Sequence, residues 1–446
     1  MNESSPSRAL VIGLGASGVA AASLLLAQGW LVTVNDRLDE AAVTARLAEL
    51  PAGVARVLGS HPDTLLEGTA LVVVSPGVPW ELPLLTAARS RGVEVIAEVE
   101  LAFRALAGTP LVGVTGSNGK TTVTALTGQI LRIAGLRTGV GGNIGHPASA
   151  HAREGGFDAL VWELSSFQLE GCTTLRPSVG VLLNLSADHL DRHVSLAAYR
   201  DAKVRLFARQ QAGDVAIVNA DDVALAGIAA PSRLERFSLV DRGAAAHLAD
   251  DVLVLDGAPL LARSALPLLG DHNVANALAA ALAAARMGAA RGAIAQGLVG
   301  FRGLPHRHQV VAERHGVRWV DDSKGTNIGA TAAGLAGYPP GTVHLILGGQ
   351  GKGQDFRALR QALRGRVARA YLIGEAAEAI ARAITGAVPV ESCGTLDEAV
   401  ARAARLARRG DTVLLSPACA SFDQFRDYAH RGDEFARLAQ VAAGVA

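Results

Sequence analysis

The sequence is short of cysteine, and this shortage excludes two classes of protein. Its 446 residues include three cysteines, Cys172, Cys393 and Cys419, which lie far apart. Small secreted domains with disulfide frameworks are rich in cysteine, and zinc sites need closely spaced pairs of ligands. We therefore expect a reduced protein with no disulfide framework and no cysteine metal site.

The sequence also lacks a strong charge of either sign and a long apolar segment. The formal net charge is +1, with 42 Lys and Arg against 41 Asp and Glu. Because proteins that bind nucleic acid present a basic face, we expect no nucleic-acid partner. The first eight residues, MNESSPSR, contain no apolar signal core, and Arg286 and Arg291 interrupt the alanine-rich stretch at 276–293. These features predict a cytoplasmic protein without membrane insertion.

The sequence is rich in apolar residues, and short apolar runs alternate with helical segments along the chain. At about 150 residues per domain, its length predicts three domains. Short apolar runs that end in glycine or polar residues alternate with helical segments, which predicts parallel sheets in every domain. Thr395 and Glu398 have capping-box spacing and predict the start of a helix. We place the domains at residues 1–106, 107–304 and 305–446.

The stretch GVTGSNGKTT, residues 113–122, predicts a phosphate-binding loop of unusual length. The common pattern has four residues between a glycine and Gly-Lys-Ser/Thr, but Val114 occupies the expected glycine position. A strand followed by this turn places backbone amides and the Lys120 ammonium around phosphates, with the Thr121 hydroxyl suited to Mg²⁺. Glu163 ends a later predicted strand and can hold the same metal. A turn that uses glycine for geometry alone is the alternative.

The stretch GLGASG, residues 13–18, matches the G-x-G-x-x-G pattern between a predicted strand and helix. Asp36 follows at the end of the next strand, near the distance at which dinucleotide-binding proteins carry an acidic residue. A nicotinamide dinucleotide, another diphosphate such as a UDP-sugar, and close strand–helix packing without a ligand are all compatible with this pattern.

Two further groups of polar residues are candidates for a site. His189 and His193 are four residues apart, but Leu190 stands where a zinc protease needs glutamate, so we reject zinc. We expect one of these histidines near a metal or phosphate. Near the C-terminus, DDSKGTN, GGQGKGQDF and SPACASFDQF each follow a predicted strand, at the sheet edge where α/β proteins bind ligands. Lys324 and Lys352 lie in the first two and suit a phosphate or a carboxylate.

Taken together, these motifs resemble the Mur ligase family. TGSNGKTT, GGNIGHP, ELSSFQLE, NLSADHLDRH, GLPHR, DDSKGTN and SPACASFDQF occur in the order seen in that family and span nearly the whole chain. TGSNGKTT is shared with folylpolyglutamate synthase and indicates only the superfamily. ELSSFQLE and the last two motifs are most similar to members that join glutamate to UDP-N-acetylmuramoyl-L-alanine.

The resemblance implies a fold and a reaction. The fold is α/β, with a Rossmann-like UDP-binding domain, a central P-loop ATPase-like domain and a Rossmann-like C-terminal domain that binds glutamate and closes over ATP. In the family, ATP phosphorylates the muramoyl-alanine carboxylate, and the amine of glutamate attacks the acyl phosphate. ATP and two Mg²⁺ ions are the implied cofactors. We expect D-glutamate and a monomer, although the sequence leaves open the stereochemistry and a sister ligase that adds L-glutamate.

The resemblance also implies roles for individual residues. Those implied to act in catalysis are Lys120, Glu163, His189 and Lys203. The implied ATP-binding residues are Gly116, Ser117, Asn118, Gly119, Lys120, Thr121, Thr122, Asn273, Arg307 and Asp322. The implied UDP-substrate residues are Gly15, Ala16, Ser17, Asp36, Arg37, Ser75, Gly77, Asn143 and Ser165. The implied glutamate-binding residues are His189, Lys324, Thr326, Lys352, Ser421, Phe422 and Tyr428. The implied metal-binding residues are Thr121, Glu163, His189 and Lys203.

Lys203 is the residue for which composition and resemblance disagree. Composition alone predicts a lysine on a helix surface, whereas the resemblance implies that it is carbamylated and helps to hold the second Mg²⁺. Two departures from the family pattern are Gly325, where alanine is frequent, and Gln350, where aspartate is frequent. An NAD-dependent oxidoreductase built on residues 13–18 and an ATP-dependent switch are rival functions, but each leaves one or more of the motifs unexplained.

Overall fold

The computed structural model describes residues 6–186, 193, 195–268, 270–351 and 353–444. It contains three parallel or mostly parallel sheets with helices between their strands, which confirms the expected α/β class. The described residues divide into two compact units. The first comprises 6–185, 193, 195–262 and 276–298, and the second comprises 186, 263–268, 270–275, 299–351 and 353–444. The domain boundaries at 106/107 and 304/305 stay predictions.

The N-terminal part of the first unit is a five-stranded parallel sheet in the order β3-β2-β1-β4-β5. Its central strands are almost wholly apolar and buried, as expected for a sheet covered on both faces. The elements are β1 (Arg8–Ile12), α1 (Ala16–Ala27), β2 (Leu31–Asp36), α2 (Glu40–Leu47), β3 (Ala55–Leu58), β4 (Thr69–Val74), α3 (Pro83–Ser90), β5 (Glu94–Ala97) and α4 (Glu98–Ala105).

A nine-stranded sheet forms the rest of the first unit, in the order β14-β13-β12-β11-β10-β9-β6-β8-β7. The strand that precedes the phosphate loop lies inside this sheet and is buried along its whole length. The elements are β6 (Leu111–Thr115), α5 (Lys120–Ile133), β7 (Thr138–Gly142), α6 (Ala148–Glu154), β8 (Ala159–Glu163), α7 (Ser166–Glu170), β9 (Val179–Leu182), α8 (Leu196–Val204), β10 (Val215–Asn219), β11 (Arg233–Ser238), β12 (Ala246–Ala249), β13 (Val252–Leu255) and β14 (Ala258–Ala262).

The antiparallel end of this sheet is a feature that the sequence pattern did not predict. The last two pairings, β12 with β13 and β13 with β14, are antiparallel, whereas the other pairings are parallel. These strands have four or five residues each and are joined by short turns. Two helices follow these strands. Helix α9 (Asp271–Arg286) starts in the second unit and ends in the first, and α10 (Arg291–Gly300) comes after it.

Among the described residues, no helix is long and apolar enough to cross a bilayer.

The second unit contains a six-stranded sheet in the order β15-β16-β20-β17-β18-β19, parallel apart from its edge strand β15. Its elements are β15 (Gln309–Arg314), β16 (Val317–Asp321), α11 (Ile328–Leu335), β17 (Val343–Gly348), α12 (Leu359–Leu363), β18 (Val367–Ile373), α13 (Ala377–Ile384), β19 (Val390–Gly394), α14 (Leu396–Leu406), β20 (Thr412–Leu415) and α15 (Tyr428–Ala443). Helix α14 begins after Thr395 as expected, although the Thr395 side chain makes no capping hydrogen bond within the described part of the chain.

Candidate active site

The phosphate loop runs from the end of β6 to the start of α5. Gly119 precedes the helix in a left-handed conformation with φ of 83°. A Cβ at Gly119 would lie 2.4 Å from the side-chain oxygen of Asn276, so both the backbone conformation and the available space require glycine. No side chain of the described residues caps this end of α5, a helix of 14 residues. The backbone amides of its first turn therefore suit an anion such as a phosphate.

Two lysines converge on one carbonyl group of this loop. The Nζ atom of Lys120 donates hydrogen bonds to the carbonyl oxygens of Gly116 and Ser117, at 2.9 Å each. The Nζ atom of Lys203 donates to the same Gly116 oxygen, also at 2.9 Å. Lys203 is only 1% exposed and lies 4.4 Å from the centre of the Tyr199 ring. The expectation from composition, a lysine on the helix surface, is therefore wrong.

A carboxylate at the end of β8 faces the first turn of α5. Thr121 Oγ1 donates a hydrogen bond of 2.7 Å to Glu163 Oε2, and Asn143 Nδ2 donates one of 3.0 Å to Glu163 Oε1. Glu163 is 3% exposed. A hydroxyl and a carboxylate oxygen beside a phosphate loop are hard oxygen ligands, so this pair fits Mg²⁺. Lys203, implied by the resemblance to hold a second Mg²⁺, contacts the loop carbonyl of Gly116, and its metal role stays a prediction.

The loop is also held from the end of β9 by Asn184, which the sequence analysis did not single out. Asn184 Oδ1 accepts a hydrogen bond of 2.8 Å from the amide of Asn118, and its Nδ2 donates one of 3.0 Å to the Asn118 carbonyl. The Asn184 carbonyl accepts from the Ser117 amide. Asn184 therefore fixes the path of the loop by side chain and backbone together. Its place inside the motif NLSADHLDRH was the available signal.

Of the two candidate histidines, the structure describes only His193. His193 is 4% exposed, its Nε2 lies 2.9 Å from Ser166 Oγ, and its ring stacks on Phe167. These contacts make it a packed histidine beside α7. Its neighbour in the sequence motif, His189, lies outside the described residues, so its predicted metal and glutamate roles stay predictions.

The glycine turn of the N-terminal sheet has one crowded end and one open end. A Cβ at Gly18 would lie 1.9 Å from the Gly13 carbonyl, and Gly13 itself has φ of 91°. These two glycines are explained by close strand–helix packing alone. Around Gly15, by contrast, no atom of the described residues lies within 4 Å of the position that a Cβ would occupy, and Gly15 precedes α1 without a side-chain cap. The open end, with Ala16 and Ser17, therefore leaves room for a ligand phosphate.

Neighbouring loops shape this turn. Ser75 Oγ donates a hydrogen bond of 2.7 Å to the Gly13 carbonyl. The Asp36 carboxylate accepts from the amides of Leu14, at 2.7 Å, and Leu38, at 3.0 Å. Asp36 therefore ties the turn to the end of β2. The other predicted residues of this region, Arg37 and Gly77, are exposed beside it.

Ser165 caps α7, between the end of β8 and the N-terminal sheet. Its Oγ accepts from the Gln168 amide at 3.2 Å, and the Gln168 side chain accepts from the Ser165 amide at 3.0 Å, which forms a capping box. Trp80 Nε1 donates a hydrogen bond of 2.9 Å to the Phe167 carbonyl. These contacts join the two sheets of the first unit next to the ends of β4 and β8, where the predicted UDP-substrate residues lie.

The second unit gathers several of the predicted glutamate residues around the start of α15. Lys324 Nζ lies 3.8 Å from the centre of the Tyr428 ring, a cation–π contact. Ser421 is 1% exposed, and its hydroxyl has no hydrogen-bond partner among the described residues. Phe422, which follows it, is 63% exposed. A buried hydroxyl without a described partner, beside an exposed aromatic ring, fits a polar ligand. Lys352 lies outside the described residues.

Asp322, a predicted ATP residue, is held by protein groups on both of its oxygens. Ser416 Oγ donates a hydrogen bond of 2.7 Å to Oδ2, and His308 Nδ1 lies 3.1 Å from Oδ1. Burial acts to lower the pKa of His308, whereas the neighbouring Asp322 carboxylate acts to raise it, and the net pKa lies above its ordinary value. His308 is thus a side-chain partner of Asp322. It was missed, although it directly follows the predicted Arg307.

Two further predicted ATP residues, Asn273 and Arg307, precede Asp322 in the chain. Arg307 closes a short turn through its amide, which donates to the Leu304 carbonyl at 3.2 Å. Asn273 is 7% exposed in the first turn of α9. Both residues belong to the second unit, whereas Lys120 and its loop belong to the first. The ATP assignment as a whole stays a prediction.

The two departures from the family pattern lie in tightly bonded segments. The Gly325 amide donates to the Asp322 carbonyl and the Gly325 carbonyl accepts from the Ala418 amide, at 2.8 Å each. A Cβ at Gly325 would lie 2.7 Å from Asp322 Oδ2, so the glycine makes room for this carboxylate. Gln350 exchanges backbone hydrogen bonds with Ala420, at 2.9 and 3.1 Å. The loop that carries Thr326 is therefore held by its backbone.

Three family models match the chain. They describe a MurD-like N-terminal domain of Mur ligases over residues 7–97, a Mur ligase middle domain over 114–284, and a Mur ligase glutamate ligase domain over 306–419. Their order agrees with the three sheets. The expected three-domain architecture is therefore confirmed.

Relatives and solved structures point the same way. UDP-N-acetylmuramoylalanine–D-glutamate ligase of Myxococcus xanthus is 49% identical over 97% of this chain and 98% of its own length. The enzyme of the same name from Anaeromyxobacter dehalogenans is 47% identical over 98% of each chain. The structure of MurF from Acinetobacter baumannii is similar in fold alone, with 17% identity, a TM-score of 0.63, and coverage of 96% of this chain and 93% of that one. The chain therefore belongs to the Mur ligase family.

Proposed function

We propose that this protein is an ATP-dependent ligase that joins D-glutamate to UDP-N-acetylmuramoyl-L-alanine through an acyl phosphate. The observation that carries the proposal is the similarity, over nearly the full length of both chains, to relatives named UDP-N-acetylmuramoylalanine–D-glutamate ligase. An NAD-dependent oxidoreductase would leave the phosphate loop and the C-terminal loops without a role. The product is a precursor of peptidoglycan.

The phosphate loop supplies the chemistry of the first step. The terminal phosphoryl group of ATP passes to the carboxylate of the alanyl residue, and ADP leaves. Two anions must approach each other, so the step needs positive charge and hydrogen-bond donors fixed in advance. Lys120 and the first amides of α5, at the turn that Gly119 forms, are proposed to provide them.

Mg²⁺, when bound, neutralises phosphate charge and orients the oxygens that react. The Thr121 hydroxyl and the Glu163 carboxylate, 2.7 Å apart, are the oxygen ligands that we assign to it. Asn143 holds the second Glu163 oxygen and so orients this carboxylate. His189 is assigned to the same metal chemistry by resemblance alone.

Lys203 is proposed to act as a carbamate that binds a second Mg²⁺. An ammonium repels a metal cation, whereas a carbamate offers anionic oxygens of the kind that Mg²⁺ prefers. Lys203 is 1% exposed and its amine lies beside the phosphate loop, bonded to the Gly116 carbonyl. Burial disfavours a charged amine, and the neutral amine is the form that reacts with carbon dioxide.

The second step belongs to the C-terminal loops. The neutral amine of glutamate attacks the acyl carbon, and phosphate leaves from the tetrahedral intermediate as the amide forms. Lys324 and the buried Ser421 hydroxyl are suited to the carboxylates of glutamate. Thr326, Lys352, Phe422 and Tyr428 complete the proposed set, and the unit that carries them is proposed to close over ATP.

The N-terminal sheet is proposed to hold the UDP group of the substrate. The open end of the glycine turn, with Gly15, Ala16 and Ser17, suits the diphosphate. Asp36, Arg37, Ser75 and Gly77 border it. We further propose that the enzyme is a cytoplasmic monomer.

Phosphate release in the presence of the three substrates tests the proposal. Release should require ATP, Mg²⁺ and UDP-N-acetylmuramoyl-L-alanine, and should proceed with D-glutamate but not with L-glutamate. Analytical ultracentrifugation of the same preparation tests the monomer. Release that depends on L-glutamate alone, or no release with either enantiomer, would overturn the proposed substrate.

A further inference from the structure

Arg431 is a buried charge to which the proposed chemistry assigns no role. It lies in the first turns of α15 and is 0% exposed. Burial lowers its pKa to about 10, so the guanidinium still carries its charge at neutral pH. A buried charge is unfavourable unless hydrogen bonds replace its water. Its bonding partners therefore indicate what it does.

The guanidinium bonds to two loops at the carboxyl edge of the sheet. Nε donates to Ser323 Oγ at 2.9 Å, and Nη2 donates to the Ser323 carbonyl at 2.8 Å. Nη2 also donates to the Cys419 carbonyl at 3.1 Å, and Nη1 donates to the Ala420 carbonyl at 3.3 Å. Within the described part of the chain, these partners are backbone carbonyls and one hydroxyl rather than a carboxylate. The fork of donors thus links the loop after β16 to the loop after β20.

A third loop lies against the same group. A Cβ at Gly349 would stand 3.2 Å from Arg431 Nη1 and 2.2 Å from the Ala420 carbonyl, so only glycine lets this backbone approach. Gly349 begins the loop after β17, next to β20 in the sheet. The buried Arg431 side chain therefore bonds to the loops that follow β16 and β20 and lies beside the loop that follows β17, the strand next to β20.

These three loops carry most of the proposed glutamate residues. Lys324 directly follows Ser323, and Ser421 directly follows Ala420. Lys352 comes three residues after Gly349. The helix of Arg431 supplies Tyr428, whose ring lies under the Lys324 amine and whose carbonyl accepts from Ser323 Oγ at 2.8 Å.

We propose that Arg431 is a positioning residue for the amino-acid substrate: it sets the spacing between the Lys324 loop and the Ser421 loop, and thereby the affinity for glutamate. This inference rests on the proposed function, because it names the residue that organises the glutamate site. Its planar fork bonds to both loops at once, whereas the single ammonium of a lysine cannot reproduce that geometry.

The test is the pattern of KM values in Arg431→Lys. We expect the KM for D-glutamate to rise roughly tenfold or more, since several hydrogen bonds from a charged group are lost or bent. The KM values for ATP and for UDP-N-acetylmuramoyl-L-alanine should stay within about twofold, because the phosphate loop and the glycine turn are built by other residues. Arg437→Lys is the matched control, since Arg437 lies on the same helix but is exposed and pairs with Glu434.

An unchanged KM for D-glutamate, or an equal rise in all three KM values, would overturn the inference and leave Arg431 a structural residue. If thermal melting shows that Arg431→Lys does not fold, Ser323→Ala decides by the same criterion, because it removes the acceptor of the Nε hydrogen bond. The wild-type enzyme separates this result from the proposed function. If wild type fails to ligate D-glutamate, the function is wrong, whereas an active wild type with unselective variants refutes Arg431 alone.

Discussion

The phosphate loop and the C-terminal loops reach a defined geometry in different ways. In the phosphate loop, Lys120 bonds to carbonyl groups three and four residues before it, and Gly119 sets the turn by its own conformation. In the C-terminal unit, Arg431 joins loops that lie 108 and 12 residues away along the chain. The first site is mostly local, and the second depends on a long-range link. A sequence motif therefore identifies the first site directly, whereas the second site appears in the sequence only as separate motifs with no visible link between them.

The largest effect is expected at the local site. Lys120→Ala should lower kcat on the order of 100-fold or more, because a fixed charge that stabilises the transferred phosphoryl group is lost. Phosphate release at saturating substrates measures this. Arg242→Ala, which removes an exposed cation paired with Asp250, should leave kcat unchanged. A Lys120→Ala enzyme within a few-fold of wild type would contradict the assigned role.

A substitution of Lys203, which lies on α8, tests whether the phosphate loop needs a group from a helix that is distant in sequence. Lys203→Arg should lose roughly 100-fold or more in kcat, because arginine keeps the positive charge but cannot become a carbamate ligand of Mg²⁺. A crystal with Mg²⁺ bound should show extra density on the Lys203 amine. An active Lys203→Arg enzyme, together with a bare lysine beside the metal, would remove the carbamate from the mechanism.

Two glycine substitutions compare the sites directly. Gly119→Ala forces φ of 83° on alanine and brings its Cβ against Asn276, so the KM for ATP should rise about tenfold. Gly349→Ala forces φ of 125° and a contact of 2.2 Å with the Ala420 carbonyl, so the KM for D-glutamate should rise by a similar factor.

Each glycine variant is the control for the other, because the substitution is the same and only the site differs. Steady-state kinetics with each substrate varied in turn measures both effects. If either variant raised the KM for ATP and the KM for D-glutamate equally, the two sites would not be independent of each other.

The last prediction concerns the stability of the fold, away from both sites. Glu98 is 0% exposed, and one of its oxygens has no hydrogen-bond partner among the described residues. Burial raises its pKa to about 7, although the Ser149 amide bonds to the other oxygen. The unfolded chain releases this proton near pH 4.5 and the folded protein near pH 7. Glu98 therefore costs stability progressively between these two pH values.

The total loss is about 3 kcal/mol from pH 4.5 to pH 7, with little further change above that. Thermal melting at pH 5 and pH 8 should show this loss in wild type and a smaller one in Glu98→Gln. Glu67→Gln, at an exposed position, should behave as wild type. Equal pH dependence in wild type and Glu98→Gln would show that Glu98 is not the group responsible.

Much of the fold was predictable because buried parallel strands leave a plain signal. The apolar runs before residues 13, 116 and 322 are β1, β6 and β16, each with a polar or glycine-rich loop after it. The antiparallel strands β12 to β14 were missed because short turns join them, whereas the predicted strands were recognised by their alternation with helices. The spacing of Thr395 and Glu398 predicted the start of α14 correctly, but spacing alone does not make a capping hydrogen bond.

The sequence by itself determined the order of the motifs, and it placed Lys120 and Thr121 at the start of a helix and Glu163 at the end of a strand. These features depend on residue type and on neighbours in the chain. Only the tertiary structure decided that Lys203 is buried at the Gly116 carbonyl, that His308 pairs with Asp322 and that Arg431 joins the loops after β16 and β20. The physical reason is that burial and hydrogen-bond partners arise from segments far apart in sequence, which neither composition nor spacing encodes.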